Sequence, residues 1–367
     1  MFDDCLIMAG GSGTRLWPAS SSRLPKQFLP ALGKASFFSM AVERALALTK
    51  KNGKVIVIAG KSHIPHVIAG TAKLKAGQKK RLVVIGEPAA KNTAPAVACA
   101  VSYSLLNGGG RTMLVLTSDH IIKPLEAFKA DATLAATAAA KGKLVVFGIP
   151  PSRPETGYGY IETGKATDGV SKVTAFHEKP DPEIARKYAS SKRFFWNSGM
   201  FAFSVESMAE RFRSLAPDVI LPFAKLKPPK PDSVTVSNGV QVLESWPGLD
   251  AAYRKTKSIS FDYAITEKYP DTVMVRAGFD WIDIGNWEEY AKICENNRSQ
   301  VFSAAGDTCY VDSDIPVALA GVEDLIVVIR SGRNGATATA LITRKGQTQK
   351  VREVVERIKE AGRTELL

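Results

Sequence analysis

Cys5-Leu6-Ile7-Met8-Ala9-Gly10-Gly11-Ser12-Gly13-Thr14-Arg15-Leu16-Trp17-Pro18 is the stretch that decides the fold. A short apolar run that ends in three glycines within four positions reads as a buried strand entering a tight turn. Glycine lets the backbone turn closely and aim N–H groups at an anion, while Thr14 and Arg15 add a hydroxyl and a fixed positive charge. The turn has the makings of a phosphate cradle; a bare structural turn is the competing reading. Two familiar phosphate loops fail on the letters. Gly33-Lys34 precedes Ala35 and Gly142-Lys143 precedes Leu144, so no Walker A loop is present. Leu16 stands where a dinucleotide fingerprint needs a small residue, and no acid lies between Asp4 and Glu43 to meet a ribose.

Outward from that strand, similar β-branched runs recur at Val55 to Ala59, Leu82 to Ile85, Met113 to Thr117 and Leu144 to Phe147. Each is too short for a helix. Ala- and Leu-rich stretches of helical composition separate them: Ser36 to Lys50, Ser62 to Lys75, Thr93 to Leu106 and Leu125 to Ala140. Strand and helix in alternation imply a parallel sheet with helices on both faces. Near Pro150 the alternation gives way to Pro- and Gly-rich sequence, with strands at Tyr158 to Glu162 and Val173 to His177 in a partly antiparallel subregion. The stretch Lys225 to Asp232, K-L-K-P-P-K-P-D, reads as a surface loop because closely spaced prolines exclude regular structure. After residue 295 short strands recur without long helices until Val351, Val354, Val355 and Ile358 fall on one helical face and Gly362 stops the helix. The expected fold is α/β, a Rossmann-like mixed and mainly parallel sheet flanked by helices. A large domain is expected over 1–292 and a small β-rich domain, ending in an amphipathic helix, over 293–367.

With 367 residues, 45% hydrophobic and 23% charged, the chain can bury a sizeable core and is not a disordered protein. Its net charge of +13 favours anionic partners. The basic residues are scattered, and no helix-turn-helix, RNP or zinc signature accompanies them, so nucleic acid is not an expected partner. No run approaches the roughly 18 apolar residues of a membrane span, and the N-terminus lacks a basic signal region, so no membrane partner is expected. Cys5, Cys99, Cys294 and Cys309 lie far apart, with no C-x-x-C pair, which suits a reduced, cytoplasmic chain.

Several side chains stand where ligand chemistry is expected. Lys26 brings a second cation near the glycine turn if the chain folds back after Trp17-Pro18; a solvated surface lysine is the alternative. Asp119 follows the Met113 to Thr117 run, at the carboxyl end of a strand where open α/β sheets bind ligands. It is a candidate Mg²⁺ ligand, or else the cap of the next helix. Asp283, in Trp281-Ile282-Asp283-Ile284-Gly285, is an acid among apolar neighbours that calls for a partner or a metal, unless it is a hydrogen-bonded acid beside a turn. Gly157-Tyr158-Gly159-Tyr160, Glu178-Lys179 and Asn197-Ser198-Gly199 together suit a sugar phosphate, although each alone is as well explained by structure.

Taken in order, A-G-G-S-G-T-R-L-W-P, P-K-Q-F-L, N-T-A-P-A (92–96), S-D-H (118–120), G-Y-G-Y-I, E-K-P, N-S-G-M-F (197–201), F-D-Y-A-I-T-E-K (261–268) and W-I-D-I-G-N-W resemble the sugar nucleotidyltransferases. Within them the resemblance is to the mannose-1-phosphate guanylyltransferase (GDP-mannose pyrophosphorylase) branch. It covers about 290 residues, and the tail from Asp324 to Glu360 is similar to that of monofunctional members. Two departures stand out: Ser20-Ser21-Ser22-Arg23 shifts an arginine, and Lys91 replaces the usual Glu or Arg before Asn92.

The resemblance implies a nucleotidyltransferase fold and attack by mannose 1-phosphate on the α-phosphorus of GTP, giving GDP-mannose and pyrophosphate. It implies catalytic roles for Arg15, Lys26, Asp119 and Asp283, with Mg²⁺ held by Asp119 and Asp283. Ala9, Gly10, Gly11, Ser12, Gly13, Thr14, Glu87, Asn92, Thr93 and Ser118 would bind the nucleotide. Gly157, Tyr158, Glu178, Lys179 and Asn197 would bind the sugar phosphate. A carboxylate at Glu87 can accept from guanine N1–H and N2–H₂, a donor pair that uracil, thymine and adenine lack. The apolar stripe of the C-terminal helix needs a cover, on its own module or on a second subunit, and a homodimer is expected. Alternatives are a nucleotidyltransferase for another nucleotide or hexose, and a non-catalytic sugar-nucleotide-binding subunit.

Overall fold

The strands Asp4–Met8, Val55–Gly60, Leu82–Glu87 and Thr112–Thr117 are buried along nearly their whole length, as happens when both faces of a sheet are covered. In the structure, a computed structural model describing residues 1–11, 13–31, 35–108, 112–294, 301–303, 308–332 and 337–367, they lie side by side and parallel. The fifth apolar run, Leu144–Ile149, does not continue this parallel set. The strand Phe194–Ser204 lies between it and Thr112–Thr117, antiparallel to both. Thr272–Arg276 then pairs in parallel with Leu144–Ile149, and the antiparallel pair Tyr160–Thr167 and Val170–His177 closes that edge. The result is one mixed sheet of eleven strands, parallel through Leu82–Glu87, Val55–Gly60, Asp4–Met8 and Thr112–Thr117.

Helix Thr93–Leu106 is buried from Ala94 to Ser104, because alternating alanines leave a narrow cylinder that packs closely on its neighbours. Helix Leu125–Ala140 turns Phe128, Ala132 and Ala135 inward, and Phe128 meets Phe279 edge-on at 4.8 Å between ring centroids. The helix expected over Ser62 to Lys75 shortens to Ile64–Gly70 after a single 3₁₀ turn, with Pro65 near its start and Gly70 at its end. Lys225 to Asp232 carries no helix or strand beyond the 3₁₀ turn beginning at Pro231.

The chain forms two compact units. One comprises Met1–Gly10, Ala41–Ser118 and Ile122–Trp281; the other comprises Gly11–Met40, Asp119–Ile121 and Ile282–Leu367. These borders differ from the sequence division at 292/293, because Leu16, Trp17, Leu29 and Phe37 share one core with Ile284, Trp287, Tyr310 and Val355. Trp287 anchors this second core: it is fully buried, and its indole N–H donates to the Trp17 carbonyl at 2.9 Å. A three-stranded sheet of Tyr310–Ser313, Leu325–Arg330 and Thr339–Arg344 supports it.

The C-terminal helix Val351–Glu360 covers its own stripe within this unit. Val351 and Val355 are buried in the cluster, Ile358 packs against it, and only Val354 is exposed. Of the two covers expected for this stripe, the helix's own module supplies one. All four cysteines are free thiols. Among the described residues no helix is long and apolar enough to cross a membrane.

Candidate active site

In the second unit, two carboxylates converge on one ammonium. Lys26 Nζ lies 2.7 Å from Asp119 Oδ2 and 3.6 Å from Asp283 Oδ1, and donates to the Ile284 carbonyl at 2.9 Å. Local sequence explains each position. Lys26 opens a 3₁₀ turn set by Pro25, with Gln27 and Leu29 buried on either side of Phe28. Asp283 ends the strand Asp280–Asp283, just before the buried Ile284 and the anchored Trp287. Asp119 follows Ser118 and precedes the strand His120–Lys123, so it caps no helix; the next helix starts at Leu125 behind Pro124.

The charges of this cluster act on one another. Burial opposes the charge on Lys26, but Asp119 and Asp283 outweigh it and hold the ammonium pKa above its usual value, with Arg15 pulling the other way. Burial likewise opposes ionisation of Asp119, and Lys26 and His120 hold it well below the usual carboxylate range. Lys26 and Asp119 therefore both carry charge at neutral pH. Such a half-buried arrangement is expensive to break on one side, because the remaining charge loses its partner.

Arg15 is exposed, and its Nη1 lies 3.4 Å from where a Cβ on Gly285 would stand. Gly13 lies against Lys26: a Cβ there would come within 2.6 Å of the lysine side chain, and its φ of +62° is left-handed. Glycine is thus required at position 13 for both space and conformation. The Gly13 carbonyl accepts from Leu16 N at 3.1 Å and from Ser20 Oγ at 2.5 Å, and the Gln27 amide reaches the Gly11 carbonyl at 3.4 Å. The glycine turn leads into a single 3₁₀ turn, Thr14–Leu16, so the dipole of a long helix is not available to an anion here. Anion binding would rest on loop N–H groups, the Thr14 hydroxyl and the two cations. Ser12 lies outside the described residues.

Asp119 and Asp283 bring two hard oxygen donors to one point, and among the described residues no group of three or more His, Cys, Asp or Glu is arranged to hold a metal ion. Among the described residues no all-protein cage for zinc or calcium is built, whereas Mg²⁺ typically takes one or two carboxylates plus phosphate oxygens and water. The residues fit Mg²⁺ bound with a nucleotide.

In the first unit, Glu87 ends the strand Leu82–Glu87 and is buried. Its Oε1 lies 3.2 Å from where a Cβ on Gly10 would stand, so the carboxyl rests against the start of the glycine turn. Burial pushes the Glu87 carboxyl up to about 7, with the Tyr253 hydroxyl pulling it back. Ala9 donates to the Ile58 carbonyl at 2.8 Å and continues the sheet. Asn92, at φ +70°, accepts the Thr93 N–H on its own side chain at 2.8 Å and caps helix Thr93–Leu106. The Thr93 hydroxyl accepts the Phe261 N–H at 2.8 Å. Both residues thus carry structural hydrogen bonds, and Ser118 is buried.

The sugar-phosphate candidates also lie in the first unit, around Gly159. A Cβ there would meet Glu178 Oε2 at 3.0 Å and the Asn197 Cβ at 3.9 Å, so Gly159 leaves the space that brings these two side chains together. Tyr158 is held edge-on by Trp196 and Trp281 at 5.4 and 5.3 Å. Gly157 is exposed and its N–H donates to Glu155 at 3.0 Å. Lys179, at φ +39°, is exposed and pairs with Glu178 at 2.8 Å. Sequence reasoning assigned no role to Asp262, which accepts from Asn197 Nδ2 at 2.8 Å. The F-D-Y-A-I-T-E-K stretch was its only signal, because Asp262 is adjacent to the other sugar candidates only after folding.

A family profile described as Nucleotidyl transferase matches residues 4–222. The xanthan biosynthesis protein XanB of Xanthomonas campestris pv. campestris is 36% identical, over 98% of this chain and 74% of its own length. A protein of Escherichia coli named mannose-1-phosphate guanylyltransferase is 33% identical over the same shares of the two chains. Among solved structures, a Thermus thermophilus protein described as mannose-1-phosphate geranyltransferase superposes with a TM-score of 0.77 at 28% identity, covering 97% of this chain and 99% of that one.

Proposed function

Because the chain belongs to the nucleotidyl transferase family and is a sugar nucleotidyltransferase, we propose that it transfers GMP from GTP to α-D-mannose 1-phosphate, releasing pyrophosphate and forming GDP-mannose. The observation that carries the reading is the meeting of Asp119 and Asp283 at the Lys26 ammonium, beside Gly13 of the glycine turn. A phosphate oxygen of mannose 1-phosphate attacks the α-phosphorus of GTP in line as the bond to the bridging oxygen of pyrophosphate breaks. No covalent enzyme intermediate is required. The protein's task is positioning and charge neutralisation.

Asp119 and Asp283 would hold Mg²⁺, which when bound supplies positive charge to the α-phosphate oxygens. Lys26 and Arg15 would neutralise the β- and γ-phosphates as they leave. Asp119 pairs with Lys26 at 2.7 Å and would also be a ligand for Mg²⁺, so with metal on the carboxylate the Lys26 ammonium would be free to engage phosphate. Ala9, Gly10, Gly11, Ser12, Gly13 and Thr14 would line the phosphates, with Asn92, Thr93 and Ser118 shaping the nucleotide site. Glu87, once ionised, would accept from guanine N1–H and N2–H₂. Glu178, Asn197, Gly157 and Tyr158 would hold the sugar, and Lys179 its phosphate.

Incubation with GTP, Mg²⁺ and mannose 1-phosphate should yield equal amounts of pyrophosphate and GDP-mannose. Product from UTP, ATP or dTTP in preference to GTP, or from glucose 1-phosphate in preference to mannose 1-phosphate, would replace this assignment with a relative of different specificity. No turnover with any pair would leave a binding subunit.

A further inference from the structure

We propose that Asp262 is the positioning residue that sets the orientation of the Asn197 amide and thereby the selection of the sugar. The inference rests on the reading of Asn197 as a sugar-hydroxyl ligand. Strand Phe194–Ser204 departs from regular pairing at this point: Gly148 is opposite Asn197, but Val146 is opposite Phe201, so the strand carries extra residues between the two. Gly199, at φ +67°, lies in this bulge. The Ser198 hydroxyl pins it by donating to the Phe147 carbonyl at 2.8 Å. Bulges of this kind re-aim a side chain, and the one re-aimed here is Asn197.

The Asn197 amide is held at both ends. Nδ2 donates to Asp262 Oδ1 at 2.8 Å, and Oδ1 accepts from the Gly199 N–H at 3.1 Å. A flip would set the amide oxygen against a carboxylate and the NH₂ group against an N–H, so only one orientation has partners on both sides. A primary amide has two donors and two acceptor lone pairs. With one of each engaged, Asn197 is left with one donor and one acceptor of defined direction. That pair suits a hydroxyl, which accepts from one and donates to the other.

Asp262 is itself fixed from behind. It begins a π-helical turn, Asp262–Thr266, directly after Phe261. Phe261 is fully buried, with Phe201 at 4.6 Å and Phe212 at 5.9 Å, and its N–H donates to the Thr93 hydroxyl. Single π-turns inside helical segments recur at functional sites. A rigid aromatic anchor behind a carboxylate, followed by an amide with one allowed orientation, is an arrangement for stereochemical selection rather than for stability.

The test compares Asp262→Ala and Asp262→Asn with the wild type, using mannose 1-phosphate and glucose 1-phosphate with GTP and UTP. Asp262→Ala should raise KM for the sugar 1-phosphate tenfold or more, leave KM for the nucleotide within about twofold, and narrow the preference between the two sugars. Asp262→Asn keeps an oxygen that accepts from Asn197 and should recover most of the loss. In combination with Asn197→Ala, Asp262→Ala should add nothing, because both changes remove one device. Should Asp262→Ala fail to fold, Asp262→Leu, closer in bulk, takes its place. Equal changes in both KM values, no change in either, or additivity with Asn197→Ala would overturn the proposal. A wild type that prefers another sugar or nucleotide would revise the assignment of GTP and mannose and leave the Asp262 comparison to be read on the preferred pair. No wild-type turnover at all would overturn both.

Discussion

At the scale of single residues, the charged groups divide into those held ionised by neighbours and those pushed toward the neutral form by burial. Lys26 and Asp119 belong to the first kind. Replacing Asp119 by Asn, or Asp283 by Asn, would remove a donor for the proposed Mg²⁺ and leave the Lys26 ammonium less well paired. A fall in kcat of about 10²- to 10³-fold is expected, on the scale of losing one preorganised electrostatic group. Steady-state rates across a Mg²⁺ titration measure it; wild-type kcat in both variants would exclude these acids from the chemistry. Glu87 belongs to the second kind. Its carboxyl, pushed up by burial to about 7 from the ordinary 4.5, keeps its proton in the folded protein at pH values where the unfolded chain releases it. Stability from this group is full below the unfolded pKa and is lost as pH rises through the folded one, a loss of about 3 kcal/mol by pH 8. Glu87→Gln should therefore unfold at a higher temperature than wild type at pH 8 and at nearly the same temperature at pH 4.5. The same variant should lose much of its preference for GTP over UTP and ATP. An unaltered preference would detach Glu87 from the base.

At the scale of elements, the turn around Gly13 and the bulge around Gly199 do what the longer helices do not: they aim side chains. Both positions need a left-handed backbone, and at Gly13 a methyl group would also collide with Lys26. Gly13→Ala should displace Lys26 from its two acids and reduce kcat about tenfold or more, at a cost to stability of about 1–3 kcal/mol. Thermal unfolding and kinetics of the variant, compared with Lys26→Ala, separate the strain from the loss of the ammonium. The large elements were legible because their reasons are local. Helices Thr93–Leu106 and Leu125–Ala140 have the bounds that composition suggests, and the first four strands follow their apolar runs. The bulge was not legible, because it is a shift of register between Asn197-Ser198-Gly199 and Leu144–Ile149, strands that meet only across the sheet. Nor was the cap role of Asn92 or the acceptor role of Thr93, which depend on a positive φ and on Phe261 from far along the chain.

At the scale of the whole molecule, the C-terminal helix is part of the core that carries Arg15, Lys26 and Asp283. Val351 and Val355 are buried with Leu16, Trp17, Ile284 and Trp287, and the Trp17 indole donates to the Leu366 carbonyl at 2.7 Å. Deleting residues 351–367, or placing a charge at Val355, should therefore abolish activity even though no expected site residue lies there. Val355→Asp buries an uncompensated acid and is expected to destabilise this unit by about 3–5 kcal/mol. An unchanged kcat after either change would show that the core tolerates the loss of its last helix.

The amino-acid sequence by itself determined the alternation of strand and helix, the glycine turn and the chemical identities of the candidate site residues, because these depend on neighbours a few positions apart. Tertiary structure alone decided which of them meet. Asp119 and Asp283 share Lys26 because a core built around Trp17 and Trp287 joins the segments that carry them. Burial raises the Glu87 carboxyl to about 7, Asp262 reaches Asn197, and the C-terminal stripe is covered by its own chain. Desolvation, partner charges and close packing act through space, and residues far apart along a chain acquire them only when it folds.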